Sequence, residues 1–227
     1  MRHRTWPGLA AGAAVLVMAT AGLQVPSAGA LGQTCFGRAA TKVGTPGRDV
    51  IVGTRKRDVI VALGGKDKIR GRGGNDIICG GDGRDRILGG RGDDRVNGNR
   101  GSDRIAGSGG ADTLRGGPGN DVIAGGKDRD KMSGGAGLDT LTGGRSGDRI
   151  AGGADNDRLG GGPGNDRLFG SLGDDAVFAG RGHDHITGGD GDDSLDAMDN
   201  AAGDTLRGSG GVDTCAADAG DVVHGCP

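Results

Sequence analysis

The sequence predicts an all-β chain, a parallel solenoid of about 17 nine-residue repeats, two per coil, with capped ends. Three observations predict it. Asp recurs at 17 positions spaced nine apart, from Asp49 to Asp193, without a miss. An apolar residue follows each of these Asp by two positions, from Ile51 through Val96 and Met132 to Leu195. Gly precedes the Asp by five positions in 15 of the 17 cases, Ala62 and Ala179 being the exceptions, and by two positions in 13. Three registers coupled in this way mark a repeat architecture, in which each unit buries its apolar residue only against its neighbours.

Composition alone points elsewhere. Of 227 residues, 55 are Gly, 41 are Leu, Ile, Val or Phe, every acidic residue is Asp, and there is no Tyr. That is too little apolar material for an ordinary enzyme core, and without the period it would read as disorder. The formal net charge of −2 lacks the imbalance usual in disordered chains. Gly does not fall at every third position, so a collagen helix is excluded.

One unit shows the local physics. Gly116 to Asp121 reads Gly-Gly-Pro-Gly-Asn-Asp, all turn formers: Gly admits positive φ, and Asn and Asp satisfy turn backbone with their own side chains. Val122-Ile123-Ala124 then forms a three-residue strand with Ile123 on one face and its neighbours on the other. Two turns reverse the chain twice, so units 18 residues apart stack at a strand spacing of ~4.8 Å. The Asp side chains then form two ladders, one starting at Asp49 and the other at Asp58.

The ends differ from the repeat. Residues 1–30 read as a secretory signal peptide, with Arg2, His3 and Arg4 ahead of the apolar run Leu9 to Leu23 and small residues at Ala28 and Ala30. The run is too short to span a bilayer and no second one exists, so a secreted, extracellular chain with no membrane span is expected. Residues 31–43 form an N-terminal cap, 44–196 the repeats, and 197–227 a degenerate repeat with the C-terminal cap. Four Cys in an exported chain suit two disulfides. Cys35 and Cys79 lie by the first coils and Cys215 and Cys226 at the far end, so Cys35–Cys79 and Cys215–Cys226 are the pairs within bonding reach.

A column of carboxylates at strand spacing is repulsive unless neutralised. Gly turns expose carbonyl oxygens beside them, and an all-oxygen cage suits Ca²⁺, whereas Zn²⁺ would want repeating Cys or His. The units Gly80 to Leu88, Gly89 to Asn97, Gly116 to Ala124, Gly134 to Thr142, Gly161 to Phe169 and Gly188 to Asp196 follow Gly-Gly-x-Gly-x-Asp-x-apolar-x closely. This pattern resembles the RTX, or hemolysin-type, calcium-binding nonapeptide repeat. The resemblance implies a parallel β-roll holding multiple Ca²⁺ between successive coils, each between Asp n and Asp n+18 with loop carbonyls, as for Asp103 with Asp121 or Asp175 with Asp193. The metal-ligand set so implied is Asp67, Asp76, Asp85, Asp94, Asp103, Asp112, Asp121, Asp139, Asp157, Asp166, Asp175, Asp184 and Asp193. Arg55, Lys56 and Arg57 crowd the turn before Asp58, which is left out. Asp128, Ser146 and Asp155 replace a turn Gly ahead of Asp130, Asp148 and Asp157, which weakens the pattern there.

Other signals are slight. Arg91-Gly92-Asp93 is a coincidence of composition, and His183-Asp184-His185 reads as an outward-facing variant of the repeat. No Ser or Cys stands at motif spacing from a His and an acid, so the chain is not expected to be an enzyme. Cations alternate with Asp and no aromatic platform exists, which argues against nucleic acid. The expected function is a secreted, non-catalytic calcium-binding protein that folds on Ca²⁺ and serves a structural, surface or interaction role, with calcium ions and an extracellular or cell-surface partner. The alternatives are an accessory or relic module of a secreted enzyme or toxin, and a metal-independent β-solenoid adhesin with outward Arg and Lys neutralising the ladders.

Overall fold

The computed structural model describes residues 33–226, so the signal-peptide reading lies outside the described residues. No helix occurs among them. A short antiparallel hairpin, β1 (Thr34–Cys35) with β2 (Arg38–Ala39), leads into β3 (Lys42–Val43) and β4 (Val50–Val52). From there successive strands alternate between two parallel sheets, one of ten strands and one of twelve. Within each sheet, neighbours are one coil apart: Ile105 pairs with Ile87 and Ile123, and Val96 with Ile78 and Leu114.

The main core is one column. Ile51, Ile60 and Ile69 begin it, Leu195 and Leu206 close it, and every middle residue between them is buried. A single apolar residue per unit suffices because the two sheets face each other across it, and its neighbours in the stack are other middle residues.

The strands are longer than the three residues expected from the sequence. Through most of the roll they run six residues, as in Arg95–Arg100 and Arg149–Ala154, with alternating burial that puts two positions inward. The first inward position is the apolar residue. The second is the Gly five before the next Asp, whose missing side chain leaves room for that Asp. A Cβ on Gly80 would lie 2.5 Å from Asp85 Oδ2 and 2.6 Å from the Gly98 carbonyl. Ala62 and Ala179 take this position in two units and are fully buried. Pairing therefore continues into the Gly run, as Asn99 with Gly81 shows.

The register survives a two-residue insertion near the C-terminal end. Ile186 pairs with Leu206 and Leu195 with Cys215, which adds two strands to the stack beyond the regular repeat. Val222–His224 adds one more to the twelve-stranded sheet.

Both disulfides are present. Cys35–Cys79 spans 5.8 Å and Cys215–Cys226 spans 5.9 Å between Cα atoms. The first fastens the hairpin to the outer face of the twelve-stranded sheet, where Cys35, Val59, Val61 and Ile77 make a second small core with Phe36 packed against it. The Arg95 guanidinium lies 4.6 Å from the centre of the Phe36 ring.

Candidate metal-binding ladders

Each Asp of the period stands immediately before its strand, where the turn delivers its side chain inward. The carboxylates form two continuous ladders. Along one, the Asp85 N–H donates to Asp103 Oδ1 at 2.8 Å, Asp103 to Asp121 at 2.7 Å, and Asp121 to Asp139 at 2.7 Å. Along the other, Asp94 donates to Asp112 at 2.8 Å and Asp112 to Asp130 at 2.8 Å. One oxygen of each carboxylate is thus used by the backbone of the preceding coil.

The other oxygen has no partner. From Asp67 onward every ladder Asp is at most 3 % exposed, and every Oδ2 is buried with no hydrogen-bond donor. The outward Arg and Lys of the strands do not reach these atoms. A buried acceptor left unpaired is costly, and a run of seventeen such carboxylates demands a compensating group. Burial, the largest effect, pushes the carboxyls up. Asp94, Asp103, Asp112, Asp121, Asp157 and Asp166 are raised to about 7, and Asp76, Asp130, Asp139, Asp148, Asp175 and Asp184 to about 6. Backbone hydrogen bonds oppose this shift, and for most of them the like charge one coil away adds to it.

All thirteen Asp singled out from the sequence lie on these ladders with the same orphaned oxygen. Four more share it. Asp130 and Asp148 hold the same place despite their altered turns: the ladder bonds from Asp112 and Asp130 are intact, and before Asp148 Ser146 adopts the φ of +75° that Gly would otherwise supply. Asp204 and Asp213 extend the ladders past the insertion, accepting from the N–H groups of Asp184 and Asp193. The signal for these two was the degenerate Gly203-Asp204-Thr205-Leu206 and Gly211-Val212-Asp213, whose spacing of 20 from Asp184 and Asp193 hid the register.

The first two rungs are different. Asp58 Oδ2 accepts from the Thr54 N–H at 2.6 Å and the Thr54 hydroxyl at 2.9 Å, and Asp49 Oδ2 is bound likewise by Thr45. The protein itself satisfies these carboxylates. Thr at the second position of the unit is the sequence signal, and it occurs there only in these two repeats.

Among the described residues no three His, Cys or Asp side chains converge on a point. An ion on the ladders must therefore draw on backbone oxygens as well as single carboxylate oxygens. The turns offer them: a Cβ on Gly92 would lie 2.6 Å from the Gly74 carbonyl and one on Gly137 would lie 2.6 Å from the Gly119 carbonyl, so these oxygens face the next coil across space that only Gly keeps open. Hard oxygen donors of mixed carboxylate and carbonyl type fit Ca²⁺. His183 and His185 flank Asp184 but are exposed while Asp184 is buried, so the three do not share a site.

A family model described as the RTX calcium-binding nonapeptide repeat (4 copies) matches residues 43–78, 80–114, 106–141, 133–168, 142–177, 169–201 and 197–223. No curated protein matches the chain at a significant level.

Proposed function

The chain belongs to the RTX calcium-binding nonapeptide repeat family, and from that premise we propose a secreted, non-catalytic protein whose β-roll forms around multiple Ca²⁺. The single observation that carries this reading is the unbroken series of buried, unpartnered Oδ2 atoms from Asp67 to Asp213. Their donors are the thirteen carboxylates Asp67, Asp76, Asp85, Asp94, Asp103, Asp112, Asp121, Asp139, Asp157, Asp166, Asp175, Asp184 and Asp193, together with Asp130, Asp148, Asp204 and Asp213. Each gives Oδ2, and turn carbonyls complete the ligand set. Calcium bound there supplies the positive charge that the interior lacks.

What the chain's own residues do follows from their places. The Oδ1 atoms tie coil to coil, the inward Gly make room for the carboxylates, and the middle apolar residues form the column. The wild-type fold then has millimolar extracellular calcium as its switch. With each site at a dissociation constant of ~0.1 mM and calcium at ~1 mM, each ion stabilises the fold by roughly 1.4 kcal/mol. A handful of sites thus contributes as much as the whole net stability of a typical domain. The extracellular placement rests on the signal-like residues 1–30 and on the two disulfides, which persist in oxidising compartments.

Isothermal titration calorimetry on the full secreted chain tests this. Several calcium ions per chain, bound with a large coupled folding enthalpy, are expected. Saturation at zero or one ion overturns the reading.

A further inference from the structure

The roll is electrically polar along its axis. Residues 33–72 hold ten cations, Arg38, Lys42, Arg48, Arg55 to Arg57, Lys66, Lys68, Arg70 and Arg72, against three Asp, a balance of 10 − 3 = +7. Residues 188–227 hold nine Asp against Arg207 alone, a balance of 1 − 9 = −8. Ladder neutralisation does not remove the contrast. Asp193, Asp204 and Asp213 are ladder members, and setting them aside leaves six acids against one cation at that end. All of these cations but the half-buried Lys42 are exposed. Ten stacked strands separate the two ends by roughly 40 Å, several times the Debye length of ~8 Å at physiological salt, so each end presents its own sign to a partner.

The ends are also where the sheets stop among the described residues. β4 is the outermost strand of the ten-stranded sheet at the basic end and Thr214–Ala216 at the acidic end; β3 and Val222–His224 hold the same places in the twelve-stranded sheet. The hairpin lies on a face of the roll and leaves these strands outermost. Outermost strands carry backbone groups suited to pairing with a further strand. All the stacking is parallel, so the acidic end of one copy meets the basic end of another with the strand direction preserved. Apolar side chains are exposed at both ends, Val50 and Val52 at one, Met198 and Val212 at the other.

We propose that this end-to-end complementarity makes the protein associate head to tail with copies of itself, the basic first coils of one docking on the acidic last coils of the next. The contact is heterologous, uses different surfaces on the two copies, and so continues into a linear assembly. This goes beyond calcium binding; it needs the folded roll and is measured on it.

The test is sedimentation of the full chain in millimolar calcium, with circular dichroism confirming the β-roll in every sample. Wild type at low salt should form species larger than dimers that grow with concentration, and about 0.5 M salt should weaken the association by roughly tenfold or more. Arg55→Asp, Lys56→Asp and Arg57→Asp together bring the basic end from +7 to +1 and block it; Asp190→Lys with Asp196→Lys, one coil in from the last strands, halve the acidic end from −8 to −4 and weaken it to the same purpose. Each variant alone should be monomeric, and an equimolar mixture should stop at dimers, since only one complementary pair of ends remains. Folded wild type that stays monomeric at low salt overturns the proposal, as does a blocked variant that assembles like wild type or a mixture that remains monomeric. Should a variant lose the β signal, the salt dependence of wild type decides alone.

Discussion

The backbone N–H of Asp103 donates to Oδ1 of Asp121 at 2.7 Å, one coil further on, and the same bond recurs from Asp49 to the C-terminal coils. It fixes what a carboxylate can do here. One oxygen is structural and the other is free, so the charge and the hydrogen bond are separable by mutation.

Asp121→Asn separates them. The amide keeps an oxygen for the Asp103 N–H and removes the buried charge. In calcium the variant should lose one or two ions and roughly 1.4 kcal/mol per lost site, read as a lower melting temperature. In chelator at pH 7 the sign reverses: relieved of an unpaired buried charge, the metal-free roll should be more stable than wild type. Equal effects in both conditions would mean that Asp121 is only a turn residue.

The pH response of the metal-free chain should also run opposite to ordinary acid denaturation. Burial raises many of the ladder carboxyls to about 6 or 7, well above the ordinary carboxylate range. A raised folded value means that the folded state holds more protons, so the stability they contribute is full below about pH 4 and is lost as pH rises through 6 to 7. In chelator, β structure should therefore be greatest near pH 4 and fade toward neutrality. In calcium the trend reverses, because protons compete with the ion for Oδ2. Circular dichroism across pH 4–8 with and without chelator measures both.

The two disulfides should differ in weight. Cys35–Cys79 closes a separation of 44 residues and Cys215–Cys226 one of 11. By loop entropy the first stabilises by about 4 kcal/mol and the second by about 3. Cys79→Ser should lower the thermal midpoint more, and should loosen the small core of Val59, Val61 and Ile77 under the hairpin.

Thr54→Val removes the hydroxyl that binds Asp58 Oδ2 and leaves the Thr54 N–H bond in place. The hydroxyl also accepts from the Lys56 N–H at 3.0 Å, so the expected cost is about 2 kcal/mol, the worth of two hydrogen bonds. Since no ion is needed at Asp58, this cost should be the same in calcium and in chelator once the fold is formed. A cost confined to calcium would place an ion at that rung.

Most of the fold was legible in the sequence because the period carries it. Asp, the middle apolar residue and the inward Gly each recur at nine, and together they give the two sheets, the column and both ladders. Three features were not legible. Strand length was underestimated because Gly80 and its counterparts look like turn residues, while their real constraint is the Asp carboxylate beside them. Asp204 and Asp213 were obscured by the two-residue insertion, which a fixed period cannot follow although the stacking tolerates it. The altered turns before Asp130 and Asp148 suggested lost sites, yet Ser146 reaches positive φ and the ladder bonds persist. The family was evident from the motif itself.

The central claim is that an ion completes the interior. Far-ultraviolet circular dichroism of the full chain at neutral pH, first in chelator and then in millimolar calcium, tests it most directly. The ladders predict a largely unfolded spectrum that converts cooperatively to β structure as calcium is added; an unchanged β spectrum in chelator would contradict it.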